Sequence, residues 1–301
     1  MNLKAFKFNI LAVMPVVALA FVLNSCGGDG NTEDQIDENM DDQEMVDEFN
    51  KAKQVFYSLP SPIETAMLLK RAGAKFNPDF LNKIENLANY TTNRSMALNL
   101  GVYSADLSFA SMFDQKQFST KYLAATKKLA DELGILNAID QTYIDRMEGN
   151  LNNRDSLMEI ISETFMNSNS FLKENDRAEI AGIILSGGWI EGLYLATQIA
   201  QTTPSNKEIV DRIIDQSLSL STLISMLSEY PNDENVKYVL GELNRIKAIF
   251  DKVVISKSKI EAVEGADGKT VLKTESSSSI SPETLTELYK TVDEIRTSIT
   301  K

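Results

Sequence analysis

Apolar residues recur at intervals of three and four along most of this chain. That is the period of a helix with one face turned to a core. Ser61-Pro62-Ile63-Glu64 reads as a helix start, with Ser as cap, Pro in the first turn and Glu at the third position. Ile63, Met67 and Leu68 share a face, and Gly73 closes the segment. Asn77-Pro78-Asp79 opens a second helix carrying Phe80, Leu81, Ile84, Leu87 and Ala88. The pattern then predicts helices over 93–113 and 115–133, the latter stopped by Gly134, and near 137–148, 152–173, 176–201, 205–228 and 233–253. Pro204-Ser205 and Tyr230-Pro231-Asn232 separate the last three. The period changes after residue 253. Val253–Ile260 and Thr270–Thr274 are β-prone and flank Gly265-Ala266-Asp267-Gly268, which predicts an exposed β-hairpin over 253–275 and a candidate partner-binding arm. Ser281-Pro282-Glu283 begins a final helix over 282–299, with Leu285, Leu288, Val292 and Ile295 inward. The expected class is all-α: about ten helices in a compact multi-helix bundle or short helical solenoid, plus the hairpin.

Two of these helices differ from the rest. Met96–Phe113 and Ile180–Ala200 are apolar or small on nearly every side, which predicts burial in the middle of the domain. Gly101, Ala105, Gly182, Gly187, Gly188 and Gly192 point to close approach of helices, because each glycine costs about 1 kcal/mol of helix propensity. The second segment is apolar enough to pass for a membrane span, but Glu191 at its centre would cost about 2.5–3.5 kcal/mol in lipid. Each helix also carries a polar stripe. Asn99, Tyr103 and Asp106 share one face, and Glu191, Tyr194 and Gln198 share another. A carboxylate on an apolar helix must be paired, neutralised or placed at a wet cleft. The stripes therefore give two readings. One is a pocket for a cationic or polyhydroxyl ligand, with Trp189 as a stacking wall. The other is a satisfied internal network, the usual fate of buried polar groups. Leu100–Ala110 can be laid over Ser186–Ala196 with coincident Gly, aromatic, Leu and Ala positions. This echo reads either as pseudo-duplicated halves, about 60–135 and 150–230, or as chance alignment of small-residue helices.

Composition removes whole classes of chemistry. The 301 residues include no His and one Cys. There is no Ser-His-Asp triad, Cys-His pair, His-bound metal or internal disulfide. No Gly-rich loop follows a strand, no nucleophile elbow is present, and Asp140–Asp145 lacks the glycine and final Glu of a calcium loop. No metal or cofactor is expected. The net charge of −13 argues against nucleic acid as a partner. That charge is unevenly spread. Ten acids and no base lie between Cys26 and Asn50, and residues 51–301 carry only −5. Residues 26–44 read as an acidic disordered tether, and Met45, Val46 and Phe49 begin an amphipathic pattern, so the domain is expected over 45–301.

The first residues carry the remaining signal. Lys4 and Lys7 precede an apolar run of about 14 residues from Ile10 to Leu23, shorter than the roughly 20 that span a bilayer. Leu23-Asn24-Ser25-Cys26-Gly27 follows, and Cys26 is the chain's only cysteine. The layout resembles the signal peptide and lipobox of bacterial lipoproteins, over residues 1–25 and Cys26. Asn24 departs from the usual residue at its position. The resemblance implies removal of residues 1–25 and a covalent lipid on Cys26, with palmitate among its acyl chains. Gly27, in place of Asp, is similar to the outer-membrane sorting pattern. The acids that follow are similar to export signals of Bacteroidetes surface lipoproteins. A plain solubilising tether has the same composition, so periplasmic and cell-surface exposure both remain open. Asp155-Ser156-Leu157 resembles the short O-glycosylation acceptor of that group, and is equally a helix start.

The sequence thus leads to an outer-membrane-anchored lipoprotein with a non-enzymatic binding or scaffold role. Its partners would be the membrane, through the lipid, and an envelope protein or small ligand. The alternative is a carboxylate-dependent hydrolase or ligand-binding protein working from a pocket around Asp106 and Glu191.

Overall fold

The computed structural model describes residues 76–136, 141–151, 153–203, 206–257, 261–264, 270–273 and 276–301. The expected signal peptide, Cys26, the acidic tether and the helix starting at Ser61 lie outside the described residues. Everything described falls within one compact unit, 39–301.

The described chain is mainly helical. Its eight α-helices are α1 (Asn93–Met112), α2 (Lys116–Glu132), α3 (Gln141–Gly149), α4 (Arg154–Glu174), α5 (Ala178–Thr202), α6 (Lys207–Leu227), α7 (Glu234–Phe250) and α8 (Pro282–Thr300). Local chemistry explains their limits. Thr92 and Ser95 form a reciprocal capping box at the start of α1. Asp233 and Ser281 cap α7 and α8 by accepting the N–H of Val236 and Thr284. Gly134, at φ +70°, takes the left-handed position just after α2.

α1 and α5 are the centre of the bundle and make its most extensive helix–helix contact. α2 covers α1, α4 and α6 flank α5, and α8 packs on α5, α7 and α1. α5 is long and apolar enough to cross a membrane, yet it is buried along most of its length inside the protein. The reason for the tight centre is glycine. A β-carbon built on Gly101 would lie 2.0 Å from the carbonyl oxygen of Ile184, and one on Gly187 would lie 1.9 Å from that of Leu98. The two backbones touch, as the small residues implied. At the outer end of α1, Phe76, Phe109, Phe113 and Phe118 stack with ring centroids 5.0–6.0 Å apart.

Gly241 shows the opposite situation. It is exposed in α7, with nothing within 4 Å of an added β-carbon. Gly241→Ala should therefore stabilise the protein by about 0.5–1 kcal/mol through helix propensity, measured by urea unfolding.

Two expectations need correction. The helix expected from Asn77 is two short 3₁₀ turns, Pro78–Phe80 and Ile84–Asn89. Its start signal works, because the Asn77 side chain accepts the N–H of Asp79. Helix growth stops because tertiary bonds take the backbone groups it needs. The N–H of Asn82 goes to Asp106, and the carbonyls of Asn82 and Lys83 accept the hydroxyls of Tyr122 and Tyr103. The exposed β-hairpin over 253–275 is not supported either. Among the described residues, the expected partners 253–257 and 270–273 do not pair with each other. Val254–Lys257 pairs with Ser276–Ser279, while Thr270–Lys273 pairs with Glu261–Glu264. The strongest β-propensity, Val254-Ile255, thus lies opposite Ser279 and Ser278, which carry none of the apolar alternation that registers a strand.

Candidate functional site

The polar stripes of α1 and α5 meet. Asp106 lies five residues beyond Gly101, and Glu191 four residues beyond Gly187, so each stands about one turn from the glycine crossing. Both are fully buried, at 0% exposure. Asp106 accepts the Asn82 N–H, and Arg296 joins Glu191 to the carbonyl of Phe80, so both acids converge on the 80–82 segment. The two acids named from the sequence therefore share one buried region.

α8 supplies the counter-charge. Leu288, Val292, Ile295 and Ile299 dock it on the core, and this places Arg296 over α5. Arg296 Nε donates to Glu191 Oε2 at 3.0 Å, and Nη2 donates to Oε1 at 3.1 Å. The pair is bidentate, the strongest geometry available to these two side chains. Nη2 also donates to the carbonyl of Phe80 at 3.3 Å, and the guanidinium lies 4.6 Å from the centre of the Tyr194 ring. Burial alone would lower the Arg296 pKa, but the charge and hydrogen bonds of Glu191 outweigh it and the net shift is upward.

Asn82 joins the remaining parts. Its N–H donates to Asp106 Oδ2 at 3.0 Å, and its amide donates to Tyr90 Oη at 3.0 Å and Asn99 Oδ1 at 3.2 Å. Asn99 in turn donates to the carbonyls of Ser95 and Ile299, and Tyr90 and Asn86 donate to the carbonyl of Thr300. The last carbonyls of α8, which no helix can satisfy internally, are thus capped by side chains of the 3₁₀ segment and α1. Tyr103, with Tyr90 and Tyr122 at centroid distances of 6.2 and 5.8 Å, forms the wall of the cluster. Burial pushes the phenol pKa values of Tyr90, Tyr103, Tyr122 and Tyr194 upward, so all four stay neutral hydrogen-bonding groups.

One atom stands apart. Asp106 Oδ1 is buried and receives no N–H or O–H. Burial first, and the facing Glu191 carboxylate second, raise the Asp106 pKa well above the usual range, against the lowering influence of Arg296.

The other sequence candidates fall elsewhere. Trp189 is fully buried, but its Nε1 donates to Ser219 of α6 at 3.0 Å. It serves the α5–α6 contact, which corrects its expected place as a stacking wall; Tyr194 has that position, over Arg296. Gln198 is half-buried. Ser156 is half-buried in the first turn of α4, where its N–H is capped by Asn153, and its neighbour Leu157 is fully buried. Arg296, Asn82, Tyr90 and Tyr122 were not singled out from the sequence. The signal for Arg296 was a charge one position after Ile295 on the inward stripe of α8.

Chemically, the arrangement is a buried acid pair closed by one guanidinium. Protein groups occupy both oxygens of Glu191 and Asp106 Oδ2, and neither carboxyl is exposed to a substrate. Among the described residues, no group of three or more acidic or Cys side chains could hold a metal ion. No family model, curated protein or solved structure matches the chain.

Proposed function

We propose that this protein is an outer-membrane lipoprotein anchored through Cys26, whose helical body has a non-enzymatic binding or scaffold role in the cell envelope. One observation carries the reading. The chain's only cysteine follows Leu23-Asn24-Ser25, directly after a basic start and a short apolar run. The buried cluster supports the non-enzymatic part. A catalytic carboxyl must come within hydrogen-bond reach of a substrate, and Asp106 and Glu191 are at 0% exposure, engaged by protein groups. In this reading the polar stripes hold α1, α5 and α8 together, and ligands or partners meet the outer surface. The ten acids without a base between Cys26 and Asn50 are a block of like charge that an anionic leaflet repels.

Cys26→Ala tests the anchor. The wild-type chain should incorporate radiolabelled palmitate, lose its leader and fractionate with membranes. The variant should incorporate none and keep residues 1–25. A variant that is still cut and still carries label would refute the reading. Protease treatment of intact cells then separates the two exposures: cleavage of the body marks the cell surface, and protection marks the periplasmic face.

A further inference from the structure

We propose that the core of this protein traps one proton between Asp106 and Glu191, and that this proton makes the joint of α1, α5 and α8 a pH-sensitive lock, tightest in mild acid. The inference does not depend on the lipid anchor. It rests on three features of the geometry. Two carboxyls from different helices are buried at 0% exposure and converge on the same short segment, Asp106 through the Asn82 N–H and Glu191 through Arg296, which also donates to the Phe80 carbonyl. Arg296 engages both oxygens of Glu191, so a single positive charge is committed to one of the two acids. Asp106 Oδ1 has no donor, although its neighbour Oδ2 accepts the Asn82 N–H at 3.0 Å. With both acids ionised, the site would hold two negative charges against one positive charge and bury a lone pair with nothing to accept. With Asp106 protonated, it is neutral and Oδ1 donates to Glu191. Burial and a neighbouring negative charge both favour the protonated form of Asp106.

Among the described residues, the groups around the pair contribute no second cation. Asp106 comes from α1, along with Tyr103; Glu191 and Tyr194 from α5; Arg296 and the more distant Asp293 from α8; Tyr122 from α2; and Glu85 and Tyr90 from the 3₁₀ segment. The four phenols stay protonated. Among the described residues, Arg296 is therefore the one cation set against the acids, and the proton supplies the missing balance.

The sign follows from linkage. An ordinary Asp side chain has a pKa of about 3.9, and that of Asp106 is raised in the folded protein. Above about pH 5 the unfolded chain has lost this proton and the folded chain has kept it. Folding then takes up one proton, and each unit of rising pH lowers the folding equilibrium constant about tenfold, until the pKa of the folded state is passed. Beyond that point the repulsion between Asp106 and Glu191 acts directly across the α1–α5 joint.

The test compares the full-length chain with its Asp106→Asn variant by urea unfolding from pH 5 to pH 8. Asn keeps the shape, accepts the Asn82 N–H and donates to Glu191 without needing a proton. The ratio of folding constants, variant over wild type, should rise with pH, by about tenfold per unit while the wild type still holds its proton. A ratio independent of pH would overturn the proposal. Should the variant fail to fold, carbon NMR of the wild-type chain labelled at its Asp and Glu carboxyls decides alone. One carboxyl resonance that titrates well above the ordinary Asp range is expected between pH 5 and pH 8, and none would overturn the proposal.

Discussion

Alanine at Gly187 is expected to remove at least about 4 kcal/mol of stability, or to prevent the folded protein from accumulating. The added carbon would lie 1.9 Å from the Leu98 carbonyl oxygen and 2.7 Å from its carbon. These are backbone atoms of a facing helix, so no rotamer change relieves the clash. Overpacking ordinarily costs about 1–3 kcal/mol, because side chains can yield. Here α1 and α5 themselves must separate, and the contact they lose is the most extensive in the bundle. The gain in helix propensity, about 1 kcal/mol, is too small to offset this. Gly101→Ala should behave alike, since its carbon would lie 2.0 Å from Ile184 O and 2.5 Å from Gly188 N. Gly188→Ala, at 3.4 Å from the Gly101 carbonyl oxygen, should be much milder. Urea unfolding of the three variants orders them. Equal tolerance at all three positions would mean that the helices do not cross there.

Arg296→Ala is expected to cost about 3–5 kcal/mol, the range for a buried pair that loses one partner. Most of that is not the value of the bond. It is the cost of leaving Glu191 fully buried, near a second acid, without the cation that pairs with it. The aliphatic stem and the stacking on Tyr194 are lost as well. Arg296→Lys should recover only part of the loss, because an ammonium cannot reproduce the two parallel bonds to Oε1 and Oε2. The far-ultraviolet signal of the folded state should persist in the Lys variant, with its midpoint lowered.

Particular residues show how much of this was written in the sequence. Spacing placed Asp106 and Glu191 on the polar faces of two buried helices, and the glycines told that those helices touch; together these bring the acids into one region. Helical periodicity also located α1, α2 and α4–α8 closely, because each has a long amphipathic or wholly apolar pattern. Arg296 escaped notice because a charged residue beside an inward stripe usually reaches solvent, and only the docking of α8 turns it inward. Asn82 escaped for a different reason. Its role depends on backbone bonds to Asp106 and Tyr122, 24 and 40 residues away, and these also break the helix that local signals predict. Trp189 was misplaced because an apolar helix buried on every side gives no periodic clue to which neighbour each residue meets. Val254-Ile255 failed as half of the expected hairpin because β-propensity reports a surface to pack on, and the facing segment is serine.

The central claim is that the charged stripes close on one another as a structural joint. A double-mutant cycle on Glu191 and Arg296 tests it most directly, with Glu191→Leu, Arg296→Met and the pair combined, each measured by urea unfolding at pH 7. These residues lie 105 positions apart and meet only if α5 and α8 are packed as described. Each single change leaves a buried charge without its partner, while the double change leaves an apolar contact of similar size. The predicted result is a double variant at least about 2 kcal/mol more stable than the two single losses added together. Losses that add within about 0.5 kcal/mol would show that the two side chains do not meet, and would contradict the account.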